Sequence, residues 1–150
     1  MSLITDNIRQ WIGRSAPPIT FDVARRDIIK YAHATGQRLP RYLAGDEAPP
    51  MFLFGADRPL TPMDELGPDG LRADTLVPEL PLKRVMAGGV RQRYFRPIRP
   101  GDQLTITRRI ADIYEKQGST GPLIFVVYAI TVADTSGALV LEETQARINR

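Results

Sequence analysis

The chain contains one histidine, His33, and no cysteine, so few of its side chains can act as a base or a nucleophile near neutral pH. On a helix His33 would lie off the face formed by Ile28, Tyr31, Ala32 and Thr35, which predicts a partly exposed side chain, or one with an ordinary hydrogen bond, and no catalytic role. A catalytic zinc site usually takes several nitrogen or sulfur ligands, and a Ser-His-Asp hydrolase would need a Gly-x-Ser-x-Gly motif that this sequence lacks. The side chains therefore predict no metal site and no bound cofactor.

Two pairs of neighbouring carboxylates, Asp46-Glu47 and Asp64-Glu65, are the next candidates for acid–base chemistry. Adjacent side chains point apart on regular structure, so solvated loops explain both pairs better. Asp102 follows Pro100-Gly101, and we expect its carboxylate to hydrogen-bond its own backbone in that turn. None of these carboxylates is predicted to be catalytic.

The first part of the chain carries signals for two helices and one strand. Apolar periodicity predicts a short helix from Ser2 to about Ile12, a strand over Ile19–Val23 and a second helix over about Ala24–Thr35. Gly36 stands where a left-handed residue commonly ends a helix.

A compact apolar segment and a long loop follow. Pro49–Phe54 is apolar, and proline is well accepted in a first helical turn, which predicts a buried helix. Prolines and glycines interrupt the chain from about Asp57 to Lys83, and loops of this length usually serve as lids, binding loops or interface arms.

The rest of the chain predicts β-structure. Alternation and turn residues indicate strands near Val90–Arg96, Leu104–Glu115, Leu123–Val132 and Leu139–Ile148, which in series would form an antiparallel meander. Leu123–Ile130 is apolar on both faces, so we expect a central strand covered from both sides. The helix near Phe52 would be one cover, and the N-terminal helix or another subunit the other.

Length and composition describe one globular domain over residues 1–150. Of the 150 residues 43% are hydrophobic and 25% charged, and a mixture of helices and antiparallel strands makes the class α+β. There is neither a membrane-length apolar run nor an export signal, so we expect a cytoplasmic protein without a membrane partner. The net charge of +3 is modest and bases alternate with acids, so nucleic acid is not an expected partner.

Four segments together resemble the MaoC-like hydratase family, in particular its FAS1-like dehydratase N-terminal branch. These segments are Tyr31 through Gly36, Ala48-Pro49-Pro50-Met51-Phe52, Arg91 through Asp102 with its Pro-x-x-Pro-Gly-Asp ending, and Gly121 through Arg150. The resemblance spans most of the chain. It implies a single hot-dog domain, in which an antiparallel sheet wraps a buried helix and dimerises through the sheet.

The resemblance also locates a loop that carries the family's chemistry. In active members this loop has the sequence Gly-Asp-x-Asn-Pro-x-His, and its Asp and His activate a water for addition to an enoyl thioester. The corresponding loop of this chain is Gly36-Gln37-Arg38-Leu39-Pro40-Arg41-Tyr42. Gln37 replaces the Asp and Tyr42 the His. An amide accepts no proton in this pH range, and a tyrosine with a pKa near 10 is a poor base. The catalytic pair is therefore predicted to be missing, although both side chains can still hydrogen-bond a thioester carbonyl or a water.

The same resemblance suggests residues that bind substrate. Pro50, Met51 and Phe52 would line an acyl tunnel together with the long loop. Arg93 and Arg96 belong to the densest basic region, and guanidinium groups suit the phosphates of coenzyme A or of a carrier's phosphopantetheine. Solvent-facing charges that protect an edge strand are nearly as good an explanation for these arginines.

Two hypotheses remain within the family. The first is a catalytically degenerate subunit that pairs with an active MaoC-like chain and helps to form the tunnel for an acyl-CoA or acyl-carrier thioester in fatty acid metabolism. The second is a homodimeric hydratase or thioesterase with non-standard residues, or a non-enzymatic acyl-CoA-binding module. We prefer the first, because the loop has lost both catalytic residue types.

Overall fold

One antiparallel sheet organises residues 2–150, the part of the chain that the computed structural model describes. Its strands are β1 (Ile19–Asp22), β2 (Val85–Tyr94), β3 (Gln103–Gly118), β4 (Gly121–Ala133) and β5 (Leu139–Asn149), in the order β1-β3-β4-β5-β2. The helices are α1 (Asp6–Arg9), α2 (Arg25–Ala34) and α3 (Pro40–Leu43). No helix among these residues is both long and apolar enough to cross a membrane.

The predicted strands are present, but the meander is incomplete. β3, β4 and β5 follow one another as neighbours, whereas β2 begins earlier than predicted and pairs with β5, with Tyr94 opposite Leu141. The connection after β2 therefore crosses the sheet to reach β3. Alternation along a strand shows which residues share a face but not which strand lies beside it, so the sequence could not reveal this crossing.

One face of the sheet carries the whole core. Alternate residues of β4, from Ile124 to Val132, are buried against two apolar clusters. α2 contributes Ile28 and the N-terminal segment contributes Ile4 and Ile8 to this same face. Of the two covers predicted for the opposite face, the N-terminal helix is therefore wrong, and another subunit stays a prediction. The predicted helix from Ser2 to Ile12 is also much shorter, because only Asp6–Arg9 is helical.

The opposite face of β4 has no cover within residues 2–150. Leu123, Phe125 and Val127 are only partly buried there. Phe125 stacks on Tyr114 of the neighbouring strand, with ring centroids 4.9 Å apart. An apolar surface on a central strand is typical of an interface with another protein surface.

Pro49–Phe54 does not form the predicted helix. Residues 50–57 are consecutive turns, with hydrogen bonds from Phe52 N to Pro49 O and from Phe54 N to Met51 O. Met51 has a φ of 69°, a left-handed value that an α-helix does not accept. The buried helix on the sheet is α2, in which Ile28 and Ala32 are fully buried.

The predicted end of α2 and the predicted long loop are confirmed, and the structure adds a bulge in β2. Gly36 ends α2 with a φ of 67°. The long loop holds one short 3₁₀ turn, Met63–Glu65. A bulge lies at Gly88-Gly89, where the β2–β5 register shifts, and an added Cβ on Gly88 would come within 2.9 Å of the Ile148 side chain.

Candidate functional site

The loop after α2 contains no obvious acid–base pair. Gln37 is half-buried, and its backbone N–H donates to the Ala32 carbonyl at 2.9 Å. Tyr42 lies in α3 beneath the Arg41 guanidinium, which is 4.8 Å from the ring centroid. The nearby carboxylates of Asp46 and Glu47 form ion pairs with Arg25 and Arg41, so they do not form a displaced catalytic pair.

His33 and the second acidic pair are also placed as expected. His33 is exposed on α2, and Asp64 and Glu65 are exposed in the 3₁₀ turn. Asp102 accepts the Arg99 backbone N–H at 2.9 Å, which is the structural role predicted for it.

Pro50, Met51 and Phe52 lie between α2 and the end of β2. The Tyr31 hydroxyl donates to the Pro50 carbonyl at 3.4 Å, and the Met51 backbone N–H donates to the Tyr94 hydroxyl oxygen at 3.2 Å. Phe52 packs edge-on against Tyr31, with centroids 5.7 Å apart. Burial raises the pKa of both the Tyr31 and the Tyr94 phenol, so each remains a neutral hydrogen-bonding group.

A polar network continues from Tyr94 along the covered face of the sheet. The Tyr94 hydroxyl donates to Gln92 Oε1 at 2.8 Å, and the side-chain amides of Gln92 and Gln145 both donate to the buried Glu143 carboxylate. Sequence reasoning missed Glu143. The available signal was alternation, because Leu141, Glu143 and Gln145 occupy successive inward positions of β5.

A groove of about 290 Å³ runs beside this network, between the turns and strands β2 and β5. Its apolar walls include Phe54, Val85, Met86, Val90 and Tyr128. Gln145 lines the groove from β5, and Arg58, Asp74 and Arg147 also contribute to its lining. An apolar channel with a few polar groups is the usual form of a small-molecule site.

A buried charge cluster centred on Arg108 lies near the middle of the covered face. Arg108 is 5% exposed and donates two hydrogen bonds to Asp74, at 3.2 and 3.0 Å. Its Nε lies 3.4 Å from Oδ2 of the buried Asp57, and its guanidinium stacks 3.9 Å from the Tyr128 ring centroid. Burial alone would raise the pKa of Asp74, but its hydrogen bonds and attraction to Arg108 lower it.

The burial of Arg108 was not predicted from the sequence. The signal was its position, since Leu104, Ile106, Arg108 and Ile110 alternate on the inward face of β3. The cluster ties both Asp57 and Asp74 of the long loop to the sheet. It therefore fixes two points of the loop that borders the groove.

The structure does not bring Arg93 and Arg96 together at the groove. Arg93 is exposed on the opposite face of β2 and stacks 4.8 Å from the Phe95 ring centroid. Arg96 pairs with Asp102 at 2.8 Å and with Asp134 at 3.5 Å, which holds together two turns. A phosphate-binding role for either arginine stays a prediction.

Comparisons with known proteins agree with this architecture. Residues 10–143 match the family model described as "FAS1-like, dehydratase domain region". The chain is 28% identical, over 93% of its length, to a mesaconyl-C(4)-CoA hydratase of Chloroflexus aurantiacus. It spans half the length of that relative.

Solved structures share the fold at low sequence identity. The HadBC (3R-hydroxyacyl-ACP dehydratase) complex of Mycobacterium tuberculosis matches with a TM-score of 0.69 and 18% identity, over 98% of this chain and 100% of that one. The ChsH1-ChsH2 complex of the same organism matches with a TM-score of 0.70 and 21% identity, over 97% and 90%. A hot-dog-like protein of Thermanaerovibrio acidaminovorans matches at 0.55 and 16%, over 96% and 87%. The predicted hot-dog fold is confirmed.

Proposed function

Because the chain belongs to the FAS1-like dehydratase domain family of MaoC-like hydratases and dehydratases, we propose that it binds an acyl thioester and leaves the proton transfer to a partner subunit. One observation carries the proposal: an apolar groove lies between the turns over residues 50–57 and strands β2 and β5, whereas the loop that resembles the family's catalytic loop carries Gln37 and Tyr42. Hydration or dehydration of an enoyl thioester needs a base and an acid facing the reacting carbons. Neither residue type supplies them readily near neutral pH.

The turns over residues 50–57 support a binding role. A regular helix there would present one continuous surface to the sheet, whereas the observed turns leave Phe54 beside the groove. Pro50 and Met51 do not line the groove, but their hydrogen bonds to Tyr31 and Tyr94 hold the turns that place Phe54 there. A preformed wall binds an acyl chain with less loss of conformational freedom.

The edges of the sheet support pairing with another hot-dog chain. β2 is a ten-residue edge strand on which Val85, Met86, Val90 and Tyr94 are exposed. Long exposed edges with apolar side chains are unusual in monomers because they invite strand pairing. The two structural relatives whose names describe complexes are consistent with a partner chain, and the relative of twice the length leaves room for a second domain.

A second candidate function rests on Glu143. Its buried carboxylate, close to Tyr94, is the one ionisable acid in the polar network along β5 and β2. In a homodimeric hydratase or thioesterase it would be the base. We favour the first function, because two side-chain amides already donate to this carboxylate and occupy both of its oxygens.

Filling the groove tests the proposal. Val90 is 41% exposed and lines the groove, so Val90→Trp should weaken binding of a saturated medium-chain acyl-CoA by at least about tenfold. Leu139, also 41% exposed but on the far end of β5, provides the matched control Leu139→Trp, which should change the affinity by less than about twofold. Equal affinities for Val90→Trp and the unchanged chain, measured by titration calorimetry, would reject the groove as the acyl site.

A further inference from the structure

Arginines outnumber carboxylates around the Arg108 cluster. Apart from the exposed Glu65, the charged side chains that share this space are Arg58, Arg72, Arg108 and Arg147 with Asp57 and Asp74. Arg108 uses both carboxylates, and Arg147 lies 3.8 Å from Asp74 while its Nε donates to Asn149. Both carboxylates therefore already have arginine partners other than Arg58 and Arg72.

Arg58 and Arg72 are left with incomplete partners. Among the described residues, the only carboxylate contact of Arg58 is 3.6 Å, to the Asp57 oxygen that Arg108 also approaches. Arg72 donates to the Pro59 carbonyl at 3.3 Å and forms no ion pair with any residue in 2–150. Partial burial, followed by repulsion from Arg58, lowers the pKa of Arg72. Two poorly compensated guanidinium groups on one wall attract an anion.

These two arginines line a cavity of about 470 Å³. Pro17, Pro18 and Ile19 form part of its wall, and Glu65 is an exposed acid at its lining. Arg58 and Asp74 line both this cavity and the acyl groove described above. A ligand that extends along the groove past Phe54 therefore reaches Arg58 and then the cavity.

We propose that Arg58 and Arg72 bind an anionic oxygen group of the ligand, and that this group is a carboxylate at the far end of the acyl chain. The inference rests on the proposed binding of an acyl thioester and specifies its substrate class as a dicarboxylic acyl thioester. Paired guanidinium groups match the two oxygens of a carboxylate. A phosphate of coenzyme A offers similar oxygens, so the test separates the two sources.

The test compares two five-carbon thioesters that differ only at the far end, valeryl-CoA and glutaryl-CoA, together with coenzyme A and free glutarate. Glutaryl-CoA should bind about tenfold more tightly than valeryl-CoA, since a hydrogen bond to a charged group has this order of effect. Arg72→Gln should remove that preference without changing valeryl-CoA binding. Arg26→Gln, on the exposed face of α2, is the matched control and should keep the preference.

The outcomes separate this inference from the proposed function. Equal binding of the two thioesters would overturn the carboxylate site while leaving thioester binding intact. Loss of coenzyme A affinity in Arg72→Gln would identify a phosphate as the anion and would also overturn it. If neither thioester binds but free glutarate does, in an Arg72-dependent way, the site stands and the proposed function fails.

Discussion

Replacing Arg108 by methionine should destabilise the fold, because it removes the main partner of the buried Asp57 and the partly buried Asp74. Arg108 donates two charge-assisted hydrogen bonds to Asp74 and approaches Asp57 at 3.4 Å. Removing one member of a buried ion pair costs about 3–5 kcal/mol. The Asp74 side chain keeps 16% of its exposure, and Arg147 remains 3.8 Å away, so we expect the lower end, about 3 kcal/mol.

The loss should depend on pH in a defined direction. Hydrogen bonds and charge from Arg108 hold the pKa of Asp74 below its usual value. The stabilisation that ionised Asp74 gives the fold is therefore present above about pH 4, and it disappears as the pH falls through the lowered pKa of the folded state. In Arg108→Met the Asp74 carboxylate loses these interactions and becomes easier to protonate. The difference in free energy of unfolding between the two proteins should therefore be largest at pH 7 and shrink towards about pH 4.

Urea denaturation at both pH values measures these differences, and Arg109→Met is the matched control. Arg109 is the next residue of the same strand and is exposed on the other face, so its replacement should change stability by less than about 0.5 kcal/mol. A loss below about 1 kcal/mol for Arg108→Met at pH 7, or one independent of pH, would refute the role assigned to the cluster.

Two further predictions concern the loop and the turn. Gln37→Ala should leave any hydration activity of a complex within about tenfold, because Gln37 is not assigned as a general base. Loss of a general base usually lowers the rate about a hundredfold or more. Steady-state hydration kinetics with a partner subunit would measure the change. Asp102→Asn should cost about 1 kcal/mol at pH 7, since Asp102 binds Arg96 and the Arg99 N–H. Arg96 and that N–H lower the pKa of Asp102 although burial opposes them, so the cost should fade below about pH 4 in urea denaturation.

Local patterns predicted the strands well and their pairing poorly. Alternation marks β3, β4 and β5 because each has one buried face. The neighbour of β2 depends on contacts far along the chain, which no local pattern encodes. Pro49–Phe54 suits a first helical turn, but the contact between Met51 and Tyr94 accompanies a left-handed residue there.

In the candidate site, too, residue types could be read from the sequence but contacts between distant residues could not. The altered residues Gln37 and Tyr42 are visible in the sequence, whereas Glu143 and Arg108 carry charges that argued against burial. Their inward positions could be read from alternation, but the groups that compensate them could not. Asp57 and Asp74 belong to an irregular loop, so only the folded chain shows that Arg108 binds both.

Hydration of a medium-chain 2-enoyl-CoA, followed by the absorbance of the conjugated thioester, tests the central claim most directly. The purified chain should give no turnover above the buffer rate. The same chain mixed with a MaoC-like chain that retains Gly-Asp-x-Asn-Pro-x-His should turn over faster than that partner alone. Robust turnover by the chain alone would contradict the account, and loss of that activity in Glu143→Gln would then identify the base.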